Sequence, residues 1–290
     1  MKQNSEIRIT EALPPPEMAD SAVSTGISKA HMGLTKTAML AILAGAFIAF
    51  GAIFSTVVSA GSTLPFGLSR LLSGLTFSLG LILVVVGGAE LFTGNNLMIM
   101  GWANRKISTS GVLRNWSIVY LGNMLGAFSM VLFIWLSGHP SSGDGAVAER
   151  IVQIAAHKCT YTGLQAFTLG ILCNILVCLA IWLCYSSRTV QGRILAIVFP
   201  ITAFVAAGFE HSVANMYFIP MGLVVKDWSD PAVLGFLNSS PELFNELTWG
   251  NFLIKNLLPV SLGNIVGGSL FVGMAYWFIY SSKWNKHTNT

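Results

Sequence analysis

Six long apolar stretches dominate this sequence and decide what it can fold into. A helix needs about 20 residues to cross a hydrocarbon core of about 30 Å, and each stretch reaches that length. The stretches cover residues 37–60, 71–100, 115–136, 162–186, 194–224 and 252–280. Charged residues make up only 10% of the chain, whereas a soluble domain carries about 25%. We therefore predict an all-α membrane protein with six transmembrane helices.

The lysines and arginines predict the orientation of these helices. With the N-terminus inside, 11 of the 16 fall on the cytoplasmic side, in agreement with the positive-inside rule. Those 11 are Lys2, Arg8, Lys29, Lys36, Arg105, Lys106, Arg114, Arg188, Arg193, Lys283 and Lys286. We expect a cytoplasmic N-terminal segment (1–36), a six-helix transmembrane channel domain (37–280), a cytoplasmic C-terminal tail (281–290) and outer loops at 137–161 and 225–251. The inner loops explain the net charge of +4, so nucleic acid is not expected as a partner.

The second and fifth stretches are too long for one straight span. Each contains glycines and polar residues beyond its middle, in "GGAELFTGNN" and "GFEHSVAN". We predict that each helix is broken into two halves joined by unwound backbone, which survives at this depth only where protein buries it or a cavity hydrates it.

An internal repeat relates these two broken segments. A shift of 120 residues pairs Gly88 with Gly208, Glu90 with Glu210 and Asn95 with Asn215. A second match follows in each half, "YLGNMLGA" and "SLGNIVGG". Three spans per half predict a 3+3 inverted repeat, an architecture typical of pores and carriers.

Three ionisable residues fall well inside predicted spans, namely Glu90, Glu210 and His211. The first half has Leu91 where the second has His211, so a single imidazole lies near the centre. We expect both carboxylates to be structural and to accept hydrogen bonds from backbone N–H groups left unpaired at the breaks. An ionisable group in the membrane costs on the order of several kcal/mol, so His211 is expected to act on a solute.

Helical spacing places apolar stripes beside this histidine. The fifth helix carries Phe204, Gly208 and His211 on one face, and the second carries Phe77, Leu81, Val84, Gly88 and Leu91. Such stripes are explained either by packing or by hydrophobic constrictions on both sides of a polar centre made by His211 and Thr93.

Other polar residues of the spans have simpler explanations. Asn123 and Asn264 lie within "GNMLG" and "GNIVG", where small residues let helices approach and the amide bonds across the contact. Asn174 is expected either to bond the unwound segments or to touch the solute. The four cysteines show no paired spacing and are expected to pack. No metal site, cofactor or catalytic residue is predicted.

A lumen closed by phenylalanine and leucine suits a small monovalent solute that can be neutralised in transit. Protonated His211 could attract a weak-acid anion and offer it a proton. The alternative from another class is an intramembrane enzyme with Glu210 and His211 as acid and base. Adjacent residues on a helix point about 100° apart, and no nucleophile motif accompanies them. Within transport, a passive channel and a proton-coupled symporter both fit.

Several segments resemble the signature segments of the formate/nitrite transporter family. They are "GAELFTGNN", "LCNILVCLAIW", "GFEHSVANMYFIPMG" and "LPVSLGNIVGG", and the resemblance runs from about residue 29 to 280. It implies an aquaporin-like fold assembled as a homopentamer among membrane lipids, with one pore per protomer. It also implies conduction of small monovalent anions, with or without protons, across the bacterial inner membrane.

The resemblance also implies roles for individual residues. His211 corresponds to the family's central histidine, Thr93 to the threonine beside it and Asn174 to the polar residue of the fourth helix. Leu81 and Leu91 correspond to the inner constriction, Phe77 and Phe204 to the outer one, and Lys29 and Lys158 to the vestibule lysines. "HK" at 157–158 and "FIPMGLVVKDW" are similar to the formate branch, whereas Gly94 is similar to the nitrite branch. Formate is the expected substrate, with nitrite, hydrosulfide or short carboxylates such as acetate and lactate as alternatives.

Overall fold

The computed structural model describes residues 12–228 and 244–281, and these residues form helices and connecting turns without strands. The helices are α1 (Pro15–Ala30), α2 (Leu34–Ser59), α3 (Phe66–Gly87), α4 (Phe92–Asn95), α5 (Ile99–Ala103), α6 (Thr109–Leu136), α7 (Ala146–Cys159), α8 (Gly163–Ser186), α9 (Val190–Ala207), α10 (Ser212–Trp228) and α11 (Trp249–Tyr280). A 3₁₀ turn, Asn96–Met98, links α4 to α5. Helix α11 contains two π-helical segments, Phe252–Leu257 and Val266–Met274.

Six of these helices, α2, α3, α6, α8, α9 and α11, are long and apolar enough to cross a membrane. Their outward faces keep large apolar side chains exposed, as Leu121, Leu125 and Leu132 do on α6. An apolar surface of this kind suits a lipid or subunit contact. The six predicted spans are confirmed. The predicted starts lie up to six residues late, at 115 against Thr109 in α6, because the first turns of these helices contain polar residues.

Both predicted helix breaks are confirmed. Helix α3 ends at Gly88 and α9 ends at Gly208, with φ angles of +78° and +79°. This left-handed conformation costs glycine little and other residues more, and it turns the chain out of the helix. After three intervening residues the chain re-enters helix, at Phe92 in α4 and at Ser212 in α10.

An asparagine from a neighbouring helix holds each break. The side-chain oxygen of Asn123 accepts from Phe92 N–H, and its amide donates to the carbonyls of Ala41 and Glu90. Asn264 does the same in the second half, accepting from Ser212 N–H and donating to the carbonyls of Gly170 and Glu210. The bonds to Glu90, Phe92, Glu210 and Ser212 satisfy backbone groups that the interrupted helices leave unpaired. The bonds to Ala41 and Gly170 tie each asparagine to a neighbouring continuous helix.

The predicted close helix contacts beside these asparagines are also present. A Cβ at Gly126 would collide with the carbonyl oxygen of Ile42 on α2. A Cβ at Gly267 would collide in the same way with Ile171 on α8. Glycine at these positions lets the backbones approach closely enough for Asn123 and Asn264 to bond across the contact.

Two helices lie in segments that were predicted only as a terminal segment and a loop. Helix α1 packs against one end of the bundle, and the Leu13 backbone and Ser186 exchange two hydrogen bonds there. Helix α7, inside the expected loop 137–161, packs on α10. Its apolar residues recur at helical spacing and are buried: Ile151, Val152, Ala155, Ala156 and Cys159. Residues 282–290 of the expected C-terminal tail lie outside the described part of the chain.

Candidate functional site

Two cavities enter the protein from opposite ends of α3. The first, about 440 Å³, lies at the start of α3 and the end of α9, and we call it the Arg70 cavity. The second, about 650 Å³, lies at the end of α3 and the start of α9, and we call it the Lys29 cavity. A helix of 22 residues is roughly 33 Å long, so the cavities lie on opposite sides of the bundle. Helices α3 and α9 therefore run in opposite directions.

An aromatic pair closes the floor of the Arg70 cavity. Phe77 and Phe204 are each 3% exposed, and their rings meet edge to face at 5.7 Å. The ring of His211 stacks on Phe204 at 5.9 Å, and Phe218 stacks on Phe77 at 6.3 Å. The apolar barrier and the buried imidazole are thus in direct contact.

The hydrogen bonds of His211 define its proton position. Ring atom Nδ1 accepts from the backbone N–H of Ala214 at 3.0 Å, and Nε2 lies 3.0 Å from Oγ1 of Thr93. A backbone N–H can only donate, so Nδ1 carries the lone pair and the neutral ring carries its proton on Nε2. A second proton on Nδ1 would break the contact with Ala214. The site therefore presents one N–H donor at its centre.

The leucines lie on the other side of this centre. Leu91 lines the Lys29 cavity together with Val84. Leu81 is 2% exposed and Thr93 is fully buried, and neither lines the Arg70 cavity or the Lys29 cavity. The two cavities share no lining residue.

Asn174 fixes the segment that carries Thr93. Its amide nitrogen donates within 2.6–3.2 Å of Asn96 Oδ1 and the carbonyls of Asn264 and Thr93. The side chain is fully buried and lines neither cavity. Of the two roles that the sequence left open, the contacts support bonding of the segment after the break.

The two buried glutamates bind lysines. Glu210 accepts from Lys158 Nζ at 2.7 Å, and its second oxygen accepts from Asn215 and Asn256. The carboxylates at both breaks are almost fully buried, at 5% and 2% side-chain exposure. In the first half, Glu90 accepts from Lys29 at 2.7 Å and from Asn95 at 2.7 Å.

The prediction that these carboxylates accept from backbone N–H groups at the breaks was wrong. The N–H groups of Glu90 and Glu210 instead donate to the carbonyls of Leu40 and Leu169. The N–H groups of Phe92 and Ser212 donate to the asparagine side chains described above. Those of Ala89 and Phe209 donate to carbonyls of the preceding helix. The carboxylates are left to pair with cations, which lie 61 and 52 residues away in sequence.

Lys29 and Lys158, the lysines that the resemblance assigns to the vestibules, line one cavity each. Lys29 comes from α1 and lines the Lys29 cavity, and Lys158 comes from α7 and lines the Arg70 cavity. Each charge is balanced by its glutamate. The ammonium of Lys158 also lies 5.4 Å from the centre of the Phe218 ring, a distance suited to a cation–π contact.

All four cysteines are free and buried. Two of them adjoin the site, because Cys184 lines the Lys29 cavity and Cys178 Sγ lies 3.4 Å from the carbonyl oxygen of Thr93. Burial raises the pKa of the Cys159 thiol in α7 to about 11, so the thiol is protonated at neutral pH. Within residues 12–228 and 244–281 no three His, Cys, Asp or Glu side chains come together as a metal site would require.

Comparison with known proteins places the chain in a family. A model of the formate/nitrite transporter family matches residues 16–278. The chain belongs to the formate/nitrite transporter family. It is 44% identical over 278 residues to the formate channel FocA of Escherichia coli strain K12, covering 96% of this chain and 98% of that one. It is 42% identical over 264 residues to the formate channel FocA of Haemophilus influenzae, with 91% and 93% covered.

Solved structures show the same fold. A "pentameric formate channel with formate bound" superimposes with a TM-score of 0.79 at 38% identity, covering 86% of this chain and 98% of that one. An "FNT family ion channel" superimposes with a TM-score of 0.77 at 28% identity, with 91% and 98% covered. These comparisons confirm the predicted resemblance and the predicted all-α, six-helix class.

Proposed function

We propose that this chain is a membrane channel that carries formate, together with a proton, across the bacterial inner membrane. The proposal rests on one observation above all. Two cavities end on an apolar barrier, and His211, with its single N–H donor, stacks on that barrier at Phe204 and lines the Arg70 cavity. The relatives named as formate channels support the same substrate.

The barrier explains why a proton is needed. The walls made by Phe77, Phe204, Leu81 and Leu91 offer a bare anion no compensation for lost hydration, so its passage is costly. An anion that reaches Nε2–H of His211 places a negative charge beside the ring. That charge favours proton uptake by the ring and offsets the loss of the Ala214 contact. The imidazolium then gives its Nε2 proton to formate, so that neutral formic acid crosses the apolar walls at lower cost while the ring returns to a neutral form.

The vestibule lysines bring anions to this barrier. Lys158 uses one of its three N–H groups on Glu210, so two remain for a solute in the Arg70 cavity. Lys29 uses two, on Glu90 and Asn95. A cation at each mouth raises the local concentration of anions.

We assign the assembly and orientation on similar grounds. The opposite directions of α3 and α9 and the matched roles of Asn123 and Asn264 support a 3+3 inverted repeat. The structural relative described as a pentameric formate channel supports a homopentamer with a pore in each protomer. The lysine and arginine distribution supports cytoplasmic termini. In that orientation the Lys29 cavity opens to the inside and the Arg70 cavity to the outside.

The relatives named as formate channels support formate over nitrite, and the contacts favour a channel over an enzyme. Gly94, which resembles the nitrite branch, lines the Lys29 cavity, and a Cβ there would require only the end of the Ile181 side chain to move. Glu210 and His211 bond to separate partners, Lys158 and Thr93, and do not converge as an acid–base pair.

Formate uptake into proteoliposomes tests the proposal. We expect formate to enter faster than nitrite, and an inward proton gradient to accelerate formate entry at a constant formate gradient. A formate flux that ignores the proton gradient would contradict the proton-coupled part. The absence of formate flux would contradict the assignment altogether.

A further inference from the structure

Two arginines stand together at the mouth of the Arg70 cavity. Arg70 is in the first turns of α3, and Arg150 is in α7. Both line the Arg70 cavity and also an adjoining cavity of about 480 Å³. The Arg70 cavity reaches Phe77 and Phe204 at its floor. An anion entering from this side meets the arginines on its way to the aromatic pair.

The guanidinium of Arg70 is held in place by the end of α9. Its Nε donates to the carbonyl of Ala206 at 3.0 Å, and its Nη2 donates to the carbonyl of Val205 at 2.6 Å. These carbonyls belong to the last turn of α9, where a cation is favourable. Nη1 has no bond within the described residues, so its N–H groups are free to bind a ligand.

Arg150 is held by one hydrogen bond and keeps more free N–H donors than Arg70. Its Nε donates to Oγ of Ser59 at 2.9 Å. In residues 12–228 and 244–281, neither terminal nitrogen of Arg150 has a partner. Burial, and next the positive charge of Arg70, lower the pKa of Arg150. Two like charges brought together out of water are unfavourable unless an anion compensates them.

The other charged groups of these cavities do not supply that compensation. Glu210 is paired with Lys158. Glu149 lines the adjoining cavity, but its Oε1 accepts from Gln153 at 2.8 Å, and it forms no ion pair with either arginine. His157 is exposed and contacts the hydroxyl of Tyr161 at 3.3 Å. Within the described chain, no carboxylate lies within 4.0 Å of a nitrogen of Arg70 or Arg150.

We infer that Arg70 and Arg150 form an anion-binding site in the mouth of the channel, separate from the central histidine, which holds a monocarboxylate before it reaches the aromatic pair. A guanidinium presents paired N–H groups that match the two oxygens of a carboxylate. The inference rests on the proposed function, because it makes this site the first stop of the transported anion. The sequence showed these residues only as two positive charges outside the membrane.

Formate exchange by proteoliposomes containing the full chain tests this site. The variant is Arg150→Gln, and the control is Lys255→Gln, which removes an exposed charge on the same side that lines neither cavity. We expect Arg150→Gln to raise the half-saturating formate concentration at least about threefold and to change the maximal rate by less than about twofold. The control should match the wild type. An unchanged half-saturating concentration in Arg150→Gln would overturn the inference.

A blocker provides the second measurement. Benzenesulfonate carries one permanent charge and an aromatic ring, and it should bind the arginines without passing the edge-to-face pair. With the blocker on both sides of the vesicles, we expect inhibition of wild-type flux and at least about threefold weaker inhibition of Arg150→Gln. Arg150→Lys, which keeps the charge and loses the planar fork, should fall between them. Equal inhibition of all three proteins would overturn the inference.

Two outcomes, a variant that does not fold and a wild type that carries no formate, can be told apart from a wrong inference about the arginines. If Arg150→Gln does not fold, Arg150→Lys alone decides, and wild-type half-saturation and inhibition in that variant would overturn the site. If the wild type carries no formate, the proposed function fails. Calorimetric titration of the detergent-purified protein with benzenesulfonate then tests the site. We expect the wild type to bind benzenesulfonate and Arg150→Lys to bind it more weakly. Equal binding by both proteins would overturn it.

Discussion

The hydroxyl oxygen of Thr93 lies 3.0 Å from Nε2 of His211 and joins the short helix after the first break to the residue that precedes the helix after the second. The two residues are 118 positions apart in sequence. The contact aims the only N–H proton of the neutral His211 ring at the hydroxyl oxygen of Thr93. Thr93 is thereby a positioning residue for the imidazole.

The first prediction concerns this hydroxyl. Thr93→Val keeps the side-chain shape and removes one hydrogen bond worth about 1 kcal/mol. We expect the maximal formate flux in proteoliposomes to fall roughly fivefold to tenfold. Thr93→Ser keeps the hydroxyl and should retain most of the flux. Equal flux through the valine and serine variants would contradict a role for the hydroxyl.

The buried ion pair gives a second prediction. Lys158→Ala leaves Glu210 without its cation at a site where that carboxylate has 2% side-chain exposure. Removing one partner of a buried pair costs about 3–5 kcal/mol, so the SDS concentration that unfolds the protein should fall markedly. Lys255→Ala breaks the exposed pair with Glu246 and should leave unfolding unchanged. If the two variants unfold alike, the buried pair does not stabilise the fold.

The glycine at the first break gives a third prediction. Nothing lies within 4 Å of a Cβ placed at Gly88 or at Gly67, but only Gly88 has a positive φ, of +78°. Gly88→Ala should therefore destabilise the protein by roughly 1–2 kcal/mol through backbone strain alone. Gly67→Ala, in the first turn of α3, should be neutral or slightly stabilising. The apparent thermal midpoint in detergent, followed by tryptophan fluorescence, distinguishes the two.

A fourth prediction concerns the asparagine that holds the first break. Asn123→Ala leaves the N–H of Phe92 and the carbonyls of Ala41 and Glu90 without this partner. Each unsatisfied buried group costs about 1–3 kcal/mol. We expect a large fall in the thermal midpoint and loss of formate flux. Ser129→Ala, which removes a bond within the same helix only, should change neither. A stable, active Asn123→Ala would show that the break does not need this amide.

Much of the fold could be predicted because the membrane constrains it. Length and hydropathy defined the six spans, and glycine followed by an acid marked both breaks. The partners of Glu90 and Glu210 could not be predicted. Lys29 and Lys158 come from α1 and α7, two short helices in segments that composition alone assigned to a terminus and a loop. The apolar faces of α1 and α7 are short and are buried only by packing against other helices, so their sequences do not stand out as membrane spans do.

Part of the site could also be predicted, where helical spacing within one span was enough. Helical spacing placed Phe77 and Phe204 on facing stripes, and the structure brings their rings together. The contact between Thr93 and His211 depends on how two breaks face each other, which no local pattern specifies. Arg70 and Arg150 carried no motif, since 80 positions separate them and only the packing of α7 brings Arg150 to the mouth.

The most direct test of the account is formate flux into proteoliposomes between about pH 5 and pH 8 for the wild type, His211→Asn and His211→Ala. We expect wild-type flux to rise as the pH falls. His211→Asn keeps an N–H donor that cannot take up a proton, so it should retain reduced flux without the pH response, and His211→Ala should lose both. If both variants keep the wild-type rate and pH response, His211 is structural, and the proposed role of the imidazole is wrong.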